Sequence, residues 1–247
     1  MQPIISLYGP AVRTEIWLDY YEGLACNSIP FEIVFVGPNK PDFVLPDNFH
    51  YIKSNVKPAQ CLEIAARNAL GEYLLNTVDD LLFTTKDALD KLYSEYLSYD
   101  DDKLILSCRY MMDGIDVSYE CHRFHIQDPD SPIMPVSGLI SKMLYRELGG
   151  VDKNFLALFS DLDIAMRLYA MGGSVVLSSV YVNEIVNSVP YGTKSSLLDS
   201  EVGVHDRLLL NRLWQTAGYQ FVRNQPFEPF TDERILEESQ GPKGRWA

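Results

Sequence analysis

The chain has 247 residues, and 47% of them are apolar, which is enough to build the core of one domain. Its formal net charge of -13 would repel the phosphate backbone of nucleic acid, so nucleic acid is not expected as a partner. The four cysteines form no CxxC pair, so neither a zinc knuckle nor a disulfide framework is indicated. No stretch approaches the roughly 18 apolar residues of a membrane span. We therefore predict a cytoplasmic protein without a transmembrane segment, and the oligomeric state stays open.

Short apolar runs alternate with helical patterns through the first half of the chain. This alternation predicts an α/β fold with a mostly parallel central sheet. The predicted strands cover residues 3–8, 31–36, 49–53, 73–78 and 104–108. The predicted helices cover residues 16–24, 59–70 and 85–97.

The second half of the chain is less regular. The polar segment 109–135 is interpreted as an excursion over the sheet. After it we predict a strand at 136–140, helices at 141–148 and 160–171, late strands within 175–186, a loop at 187–204 and a helix at 206–217. One domain over residues 1–220 and an acidic C-terminal tail over residues 221–247 are expected.

Two adjacent carboxylates, Asp79 and Asp80, follow the apolar run of the fourth predicted strand. Open parallel sheets bind ligands at the carboxyl ends of their strands. Hard divalent cations prefer carboxylate oxygens, so a metal there would bridge the two phosphates of a nucleotide sugar. A solvated Asp-Asp turn is the other interpretation of the pair.

Three segments around these carboxylates carry a family resemblance. They are residues 65–73 (AARNALGEY), residues 148–152 (LGGVD), and residues 160–168 (SDLDIAMRL) with Gly172. Their order and spacing resemble the inverting GT-A glycosyltransferases of the large family that includes cellulose, chitin and hyaluronan synthases. The resemblance covers residues 3–185, and residues 30–36 look like that family's second strand.

The resemblance implies a GT-A fold, a Rossmann-like arrangement that binds a nucleoside diphosphate sugar. The donor would be of the UDP or GDP type, the cofactor Mn2+ or Mg2+, and the acceptor a hydroxyl on a glycan, a lipid-linked molecule or a protein. Asp79 and Asp80 match the later part of the family's DxD-type motif, with Asp80 as the metal ligand and Asp79 beside the donor. Val78 stands at the earlier aspartate position.

Further donor-binding residues follow from the same resemblance. Arg67 matches a helix arginine that approaches the nucleotide, although a surface pair with Glu63 four residues earlier is the alternative. The end of the first strand is expected to line the base pocket through Ser6, Leu7, Tyr8 and Gly9. Tyr8 is equally consistent with a core position. Residues 37–39 (GPN) replace an acidic residue that reads the base in the family, so the base stays open.

The transfer step needs a carboxylate to accept the proton of the acceptor hydroxyl. Asp161 matches the family's catalytic aspartate, and Asp163 is the substitute base or a support for it. Ser160 replaces the glutamate that usually precedes this aspartate. Capping of the helix is the alternative role for these residues. His205 matches a late histidine that some GT-A enzymes use as a metal ligand, and a surface or capping histidine is the other interpretation.

Two other functions are compatible with the sequence. A retaining GT-A transferase would use the same metal site with a different role for the carboxylate. A non-catalytic module that binds a sugar nucleotide or a protein is favoured by Val78 and Ser160, since each replaces an acid of the family.

Overall fold

The computed structural model describes residues 2–185 and 200–231 of the chain. Most of the predicted loop 187–204, the last residue of the predicted late strands and residues 232–247 of the predicted tail lie outside the described residues.

The predicted strands and helices occur in the predicted order, together with short elements that the sequence analysis did not predict. The strands are β1 Ile5–Pro10, β2 Phe31–Gly37, β3 Phe49–Lys53, β4 Tyr73–Asn76, β5 Leu81–Phe83, β6 Leu104–Met112, β7 Ile115–Asp116, β8 Gly138–Ser141, β9 Ser174–Glu184, β10 Trp214–Gln215 and β11 Val222–Arg223. The helices are α1 Trp17–Glu22, α2 Pro58–Asn68, α3 Ala88–Ser98, α4 Ser118–Cys121, α5 Lys142–Glu147, α6 Ser160–Ala170 and α7 Glu201–Leu213. None of these described helices combines the length and the apolar character that crossing a membrane requires.

Nine of the described strands form one sheet in the order β3-β2-β1-β4-β8-β6-β9-β5, with β7 paired to β6. The strands β3, β2, β1 and β4 are parallel to one another, and β6 is parallel to β9. Strand β8 is antiparallel to both β4 and β6, and β5 is antiparallel to β9. The predicted, mostly parallel α/β sheet is therefore confirmed, with β8 inserted in the opposite direction.

Helices cover both faces of the sheet because successive strand residues point to opposite sides. Tyr8 and Leu74 face a core that is completed by residues of α2, α5, α6 and α7. Leu7 and Leu75 face a second core that is completed by α1 and α3. All four of these side chains are nearly inaccessible to solvent.

Several boundaries differ from the prediction: helix α7, for example, ends at Leu213 and not at residue 217, and β1 covers Ile5–Pro10 and not residues 3–8. Two of the differences have an identifiable cause. Strand β6 continues to Met112 because Asp113 and Gly114 adopt positive φ angles of 48° and 82°, which allow a tight turn into β7. Helix α7 begins at Glu201, earlier than predicted, because the Ser200 hydroxyl caps it by accepting the Gly203 N–H at 3.1 Å.

The first part of the predicted tail packs on the domain. Phe221 is buried beside Trp214, and the strands β10 and β11 form an antiparallel hairpin that spans the predicted boundary at residue 220. Asp152 forms an isolated bridge with Pro229. The hairpin, Phe221 and Pro229 thus contact the rest of the described structure.

Candidate active site

The carboxyl ends of β1 and β4 and the amino ends of α2 and α6 meet at one edge of the sheet. Strands β1 and β4 are parallel neighbours with Tyr8 opposite Asn76, so their last residues lie side by side. The Ala59 N–H at the start of α2 donates to the Leu156 carbonyl, in the segment leading into α6, at 2.9 Å. We call this the carboxyl edge, and it is where open α/β sheets bind ligands.

Asp79 anchors the loop that follows β1. Its Oδ2 accepts the backbone N–H groups of Val12 at 2.6 Å and Arg13 at 2.5 Å. Its Oδ1 accepts Nη1 of Arg13 at 2.7 Å, and the Trp17 indole N–H lies 3.3 Å from Oδ2. These donors satisfy the buried carboxylate, so Asp79 fixes the course of the chain beyond β1.

Asp80 pairs with the same arginine. Nη2 of Arg13 lies 2.7 Å from Oδ2 of Asp80, and both side chains are less than a tenth exposed. Burial raises the pKa of Asp80 to about 6, against the opposing effect of the Arg13 guanidinium. The Arg13 Nε–H is buried and has no hydrogen-bond acceptor within residues 2–185 or 200–231. Arg13 therefore holds both carboxylates of the predicted metal motif.

The Mn2+ or Mg2+ ion that the family resemblance implies does not fit these side chains as they are arranged. Such ions need several oxygen ligands, whereas Asp79 already accepts N–H donors and Asp80 is paired with Arg13. No group of three or more His, Cys, Asp or Glu side chains that could hold a metal occurs in the described part of the chain. His205, the other predicted metal ligand, lies within α7, and its Nδ1 is 2.9 Å from Oδ1 of Asp206.

A second buried cation, Lys57, lies at the carboxyl edge. It precedes Pro58, the first residue of α2, and only 7% of its surface is exposed. Its ammonium group forms no ion pair with any residue for which the structure gives a position. The amino end of a helix favours anions through its dipole and its free N–H groups. Lys57 and the amino end of α2 thus bring two groups that favour anions to this edge.

Asp161 lines a narrow pocket at the carboxyl edge. Its polar neighbours in the pocket wall are Tyr8, Asn76 and Tyr145, and the rest of the wall is mainly apolar. The Asp161 Oδ1 accepts the Leu162 N–H at 2.9 Å. Desolvation by the surrounding protein raises the pKa of Asp161 to about 6. A carboxyl group with such a pKa can take up a proton near neutral pH.

The backbone directly before Asp161 has an unusual conformation. Phe159 adopts a left-handed φ of 61°, which is unfavourable for a bulky residue. Upstream, the N–H groups of residues 156–158 all donate to the buried Asp206 carboxylate, at distances between 2.8 and 3.2 Å. This tether holds the strained turn, and strain of this kind is concentrated at functional sites.

Asp163 lies in a different environment from Asp161. It is fully buried and accepts Nε of Arg167 at 2.9 Å and the indole N–H of Trp214 at 2.9 Å. Arg223 donates to it as well. These bonds join α6 to the β10–β11 hairpin, so the geometry supports a structural role for Asp163 rather than a role as a base.

The four predicted residues of β1 have separate surroundings. The Ser6 hydroxyl donates to Glu32 at 2.6 Å and accepts the Gly71 N–H at 2.8 Å, in the first half of the strand. Leu7 is a core residue on the face opposite Asp161. Tyr8 lines the pocket of Asp161, and a Cβ atom added at Gly9 would lie 1.8 Å from the Thr77 carbonyl oxygen. Only Tyr8 and Gly9 are at the carboxyl edge.

Arg67 lies near the amino end of β4, whereas Asp79 and Asp80 lie beyond its carboxyl end. It ends α2 shortly before β4 begins, whereas the two aspartates follow the end of β4. Its Nε is 2.8 Å from Oε1 of Glu63, and its Nη2 donates to the Phe230 carbonyl at 2.7 Å. The alternative i,i+4 pair is therefore present, and the structure separates Arg67 from the other predicted site residues.

The comparisons with known proteins concern the fold. The sequence matches no protein-family model and no curated protein. Solved structures are similar to it, among them S. aureus TarS 1-349, with a TM-score of 0.56 and 16% identity over 73% of this chain and 60% of that chain. TarS 1-349 in complex with UDP has a TM-score of 0.56 and 17% identity over 74% of this chain and 60% of that chain. The mannosyltransferase PcManGT from Pyrobaculum calidifontis in complex with GDP-Man and Mn2+ has a TM-score of 0.54 and 17% identity over 77% of this chain and 59% of that chain. These similarities confirm the predicted GT-A fold, and this chain spans 59–60% of the length of these three structures.

Proposed function

We propose that the protein is a glycosyltransferase that moves a sugar from a nucleoside diphosphate sugar to an acceptor hydroxyl. The observation that carries this proposal is the position of Asp161, a desolvated carboxyl group in a pocket at the carboxyl edge of a GT-A fold. The similar structures support it, because TarS was solved with UDP and PcManGT with GDP-Man. A cytoplasmic location stays a prediction from the sequence.

The donor diphosphate is proposed to lie against the amino end of α2. Lys57 is the buried cation there without a carboxylate partner in the described structure, and helix N–H groups favour phosphate oxygens. Tyr8 and Gly9 end the strand beside this position, and Asp79 holds the neighbouring loop. These groups orient the donor with its sugar toward Asp161.

In the proposed transfer, Asp161 accepts the proton of the acceptor hydroxyl as that oxygen attacks the anomeric carbon. The bond between the anomeric carbon and the diphosphate breaks, and the diphosphate leaves with the bonding electrons. Attack on the face opposite the diphosphate inverts the anomeric configuration. The apolar wall of the pocket limits the competing access of water to the base.

A non-catalytic module that binds a sugar nucleotide is the second candidate function. Val78 and Ser160 replace acids of the family, and Arg13 occupies both remaining carboxylates of the DxD-type motif. Such a module would bind the nucleotide sugar but would not break the bond between the sugar and the diphosphate. Measurement of free UDP or GDP released from a bound donor separates the two functions.

Donor binding is tested by thermal unfolding with UDP-, GDP-, CMP- and dTDP-linked sugars, each with Mn2+ and with EDTA. A ligand at about a hundredfold its Kd adds about 2.7 kcal/mol to stability, which raises Tm by several degrees in a domain of this size. We expect a rise with one class of nucleotide. No rise with any donor, in protein that unfolds cooperatively, would contradict the proposal.

Lys57 and Lys53 provide a matched pair of variants for this test. Lys57→Gln is expected to reduce the donor-induced rise in Tm, because the positive charge of Lys57 is lost from the amino end of α2. Lys53→Gln changes an exposed lysine at the end of β3 and should leave the rise intact. An equal response of the two variants would remove Lys57 from the donor site.

A further inference from the structure

We infer that the Arg13 guanidinium supplies the fixed positive charge at the donor site, in the place that a divalent metal would take. This inference rests on the proposed function, since it concerns how the same site holds a nucleoside diphosphate. It disagrees with the metal dependence that the sequence predicts.

The first argument is the geometry of the two aspartates. Nη1 of Arg13 is 2.7 Å from Oδ1 of Asp79, and Nη2 is 2.7 Å from Oδ2 of Asp80. One planar cation thus bridges both carboxylates at the position where a divalent ion bound to both of them would lie, with one positive charge instead of two. The Arg13 backbone N–H donates to Asp79 as well, which fixes the start of the side chain.

The second argument is that Arg13 cannot easily be displaced. Its side chain is 8% exposed, and the side chains of Asp79 and Asp80 are 1% and 9% exposed. A metal that took both carboxylates would leave a buried guanidinium without its partners, which is strongly unfavourable. The same metal would also compete with the backbone N–H groups of Val12 and Arg13 for Asp79.

The third argument is the unused donor of Arg13. Its Nε–H is buried, and no acceptor for it exists among the residues with described positions. A buried donor without an acceptor costs free energy, so an anionic oxygen near it would be stabilised. A phosphate oxygen of the donor has the chemistry that this N–H requires, and it would reach the enclosed N–H only when the side chains around Arg13 move. Lys57 is a second cation at the same edge.

The test measures the binding of UDP and of GDP to the purified protein by calorimetry, in EDTA and in Mn2+. We expect one nucleotide to bind with Kd values that agree within about twofold in the two buffers. Binding that requires Mn2+ would overturn the role of Arg13 while leaving the proposed function intact. Absence of binding in both buffers would overturn the proposed function and this inference together.

Variants of Arg13 sharpen the result. Arg13→Gln is expected to weaken nucleotide binding in EDTA by about a hundredfold or more, and added Mn2+ should restore part of it, because the two freed carboxylates suit a divalent cation. Arg212→Gln, which removes an exposed arginine of α7, serves as the control and should bind as the wild type does. Unchanged binding by Arg13→Gln in EDTA would overturn the inference.

A second variant covers the case in which Arg13→Gln does not fold. Asp80→Asn keeps Arg13 and its bond to Asp79 but removes the carboxylate that the sequence assigns to the metal. We expect this variant to retain nucleotide binding within a few-fold in EDTA. Loss of binding, together with Mn2+ uptake by the wild type seen by electron paramagnetic resonance, would show that Asp80 is a metal ligand and would refute the role of Arg13.

Discussion

The Asp206 carboxylate accepts the backbone N–H of Leu156, which lies 50 residues earlier, at 3.0 Å. The same carboxylate also accepts the next two N–H groups of that segment. Helix α7 therefore sets the position of the turn that leads through Phe159 to Asp161. The placement of the proposed base depends on a residue far from it in sequence.

Asp206→Asn should weaken this tether, because an uncharged amide that presents one acceptor oxygen replaces a carboxylate that serves three N–H groups. We expect a loss of about 1–3 kcal/mol in the free energy of unfolding and a lower turnover of the donor. Urea denaturation and donor hydrolysis measure the two effects. Arg207→Gln, an exposed change on the same helix, should alter neither. Wild-type stability of Asp206→Asn would contradict the tether.

Asp161→Asn is expected to lower turnover by about 10²–10⁴-fold, because the proposed general base is lost, while donor binding is kept. The assay is release of UDP or GDP from the donor, with calorimetry to measure binding. Asp100→Asn changes an exposed acid beyond α3 and is the control. Unchanged turnover in Asp161→Asn would remove Asp161 from the mechanism, and loss of binding would assign it to the donor site instead.

The pH dependence of the reaction should follow the ionisation of Asp161. Its pKa is raised to about 6 by desolvation, so the carboxyl group is protonated and inactive as a base below that pH. We expect kcat/KM to fall about tenfold per pH unit below about pH 6 and to level off above it. In Asp161→Asn the residual activity should lose this inflection. A wild-type profile that is flat between pH 5 and pH 8 would contradict the assignment.

The sequence predicted the fold well because its signals are local. The short apolar runs of β1, β2 and β4 and the apolar face of α2 are patterns between near neighbours in the chain. The early end assigned to β6 shows the limit of such patterns, since the strand continues past the polar Arg109 as far as the Asp113-Gly114 turn. That dipeptide is itself a hairpin signal.

The site was predicted less completely because its contacts join distant residues. Arg13 was not identified, since its partner Asp79 lies 66 residues away and no local motif marks the pair. A basic residue directly after the first strand of an acidic chain was the available signal. Arg67 was assigned to the donor site from its neighbours in sequence. Helix α2, however, starts at the carboxyl edge and ends at the opposite edge, near the amino end of β4. The direction of α2 means that Lys57, and not Arg67, is the cation that this helix places at the carboxyl edge.

Gly9→Ala should destabilise the carboxyl edge. The added Cβ would lie 1.8 Å from the Thr77 carbonyl oxygen, so β1 and β4 would have to move apart beside the donor site. We expect a loss of about 1–3 kcal/mol in the free energy of unfolding and weaker donor binding. Gly23→Ala is the matched control, because its nearest contact would be an ordinary 3.5 Å and its φ of -60° suits alanine. Equal stability of the two variants would contradict the close approach.

Arg223→Gln should detach the C-terminal hairpin from the domain. Arg223 binds Asp152 and Asp163, whose side chains are completely buried, and its removal leaves Asp152 without its cation. We expect a loss of about 3–5 kcal/mol in the free energy of unfolding, measured by urea denaturation. The control is Lys153→Gln, which breaks an exposed pair with Glu228 and should cost at most about 1 kcal/mol. If the two variants were equally stable, residues 221–231 would be a peripheral segment and the domain would end near residue 220, as the sequence predicts.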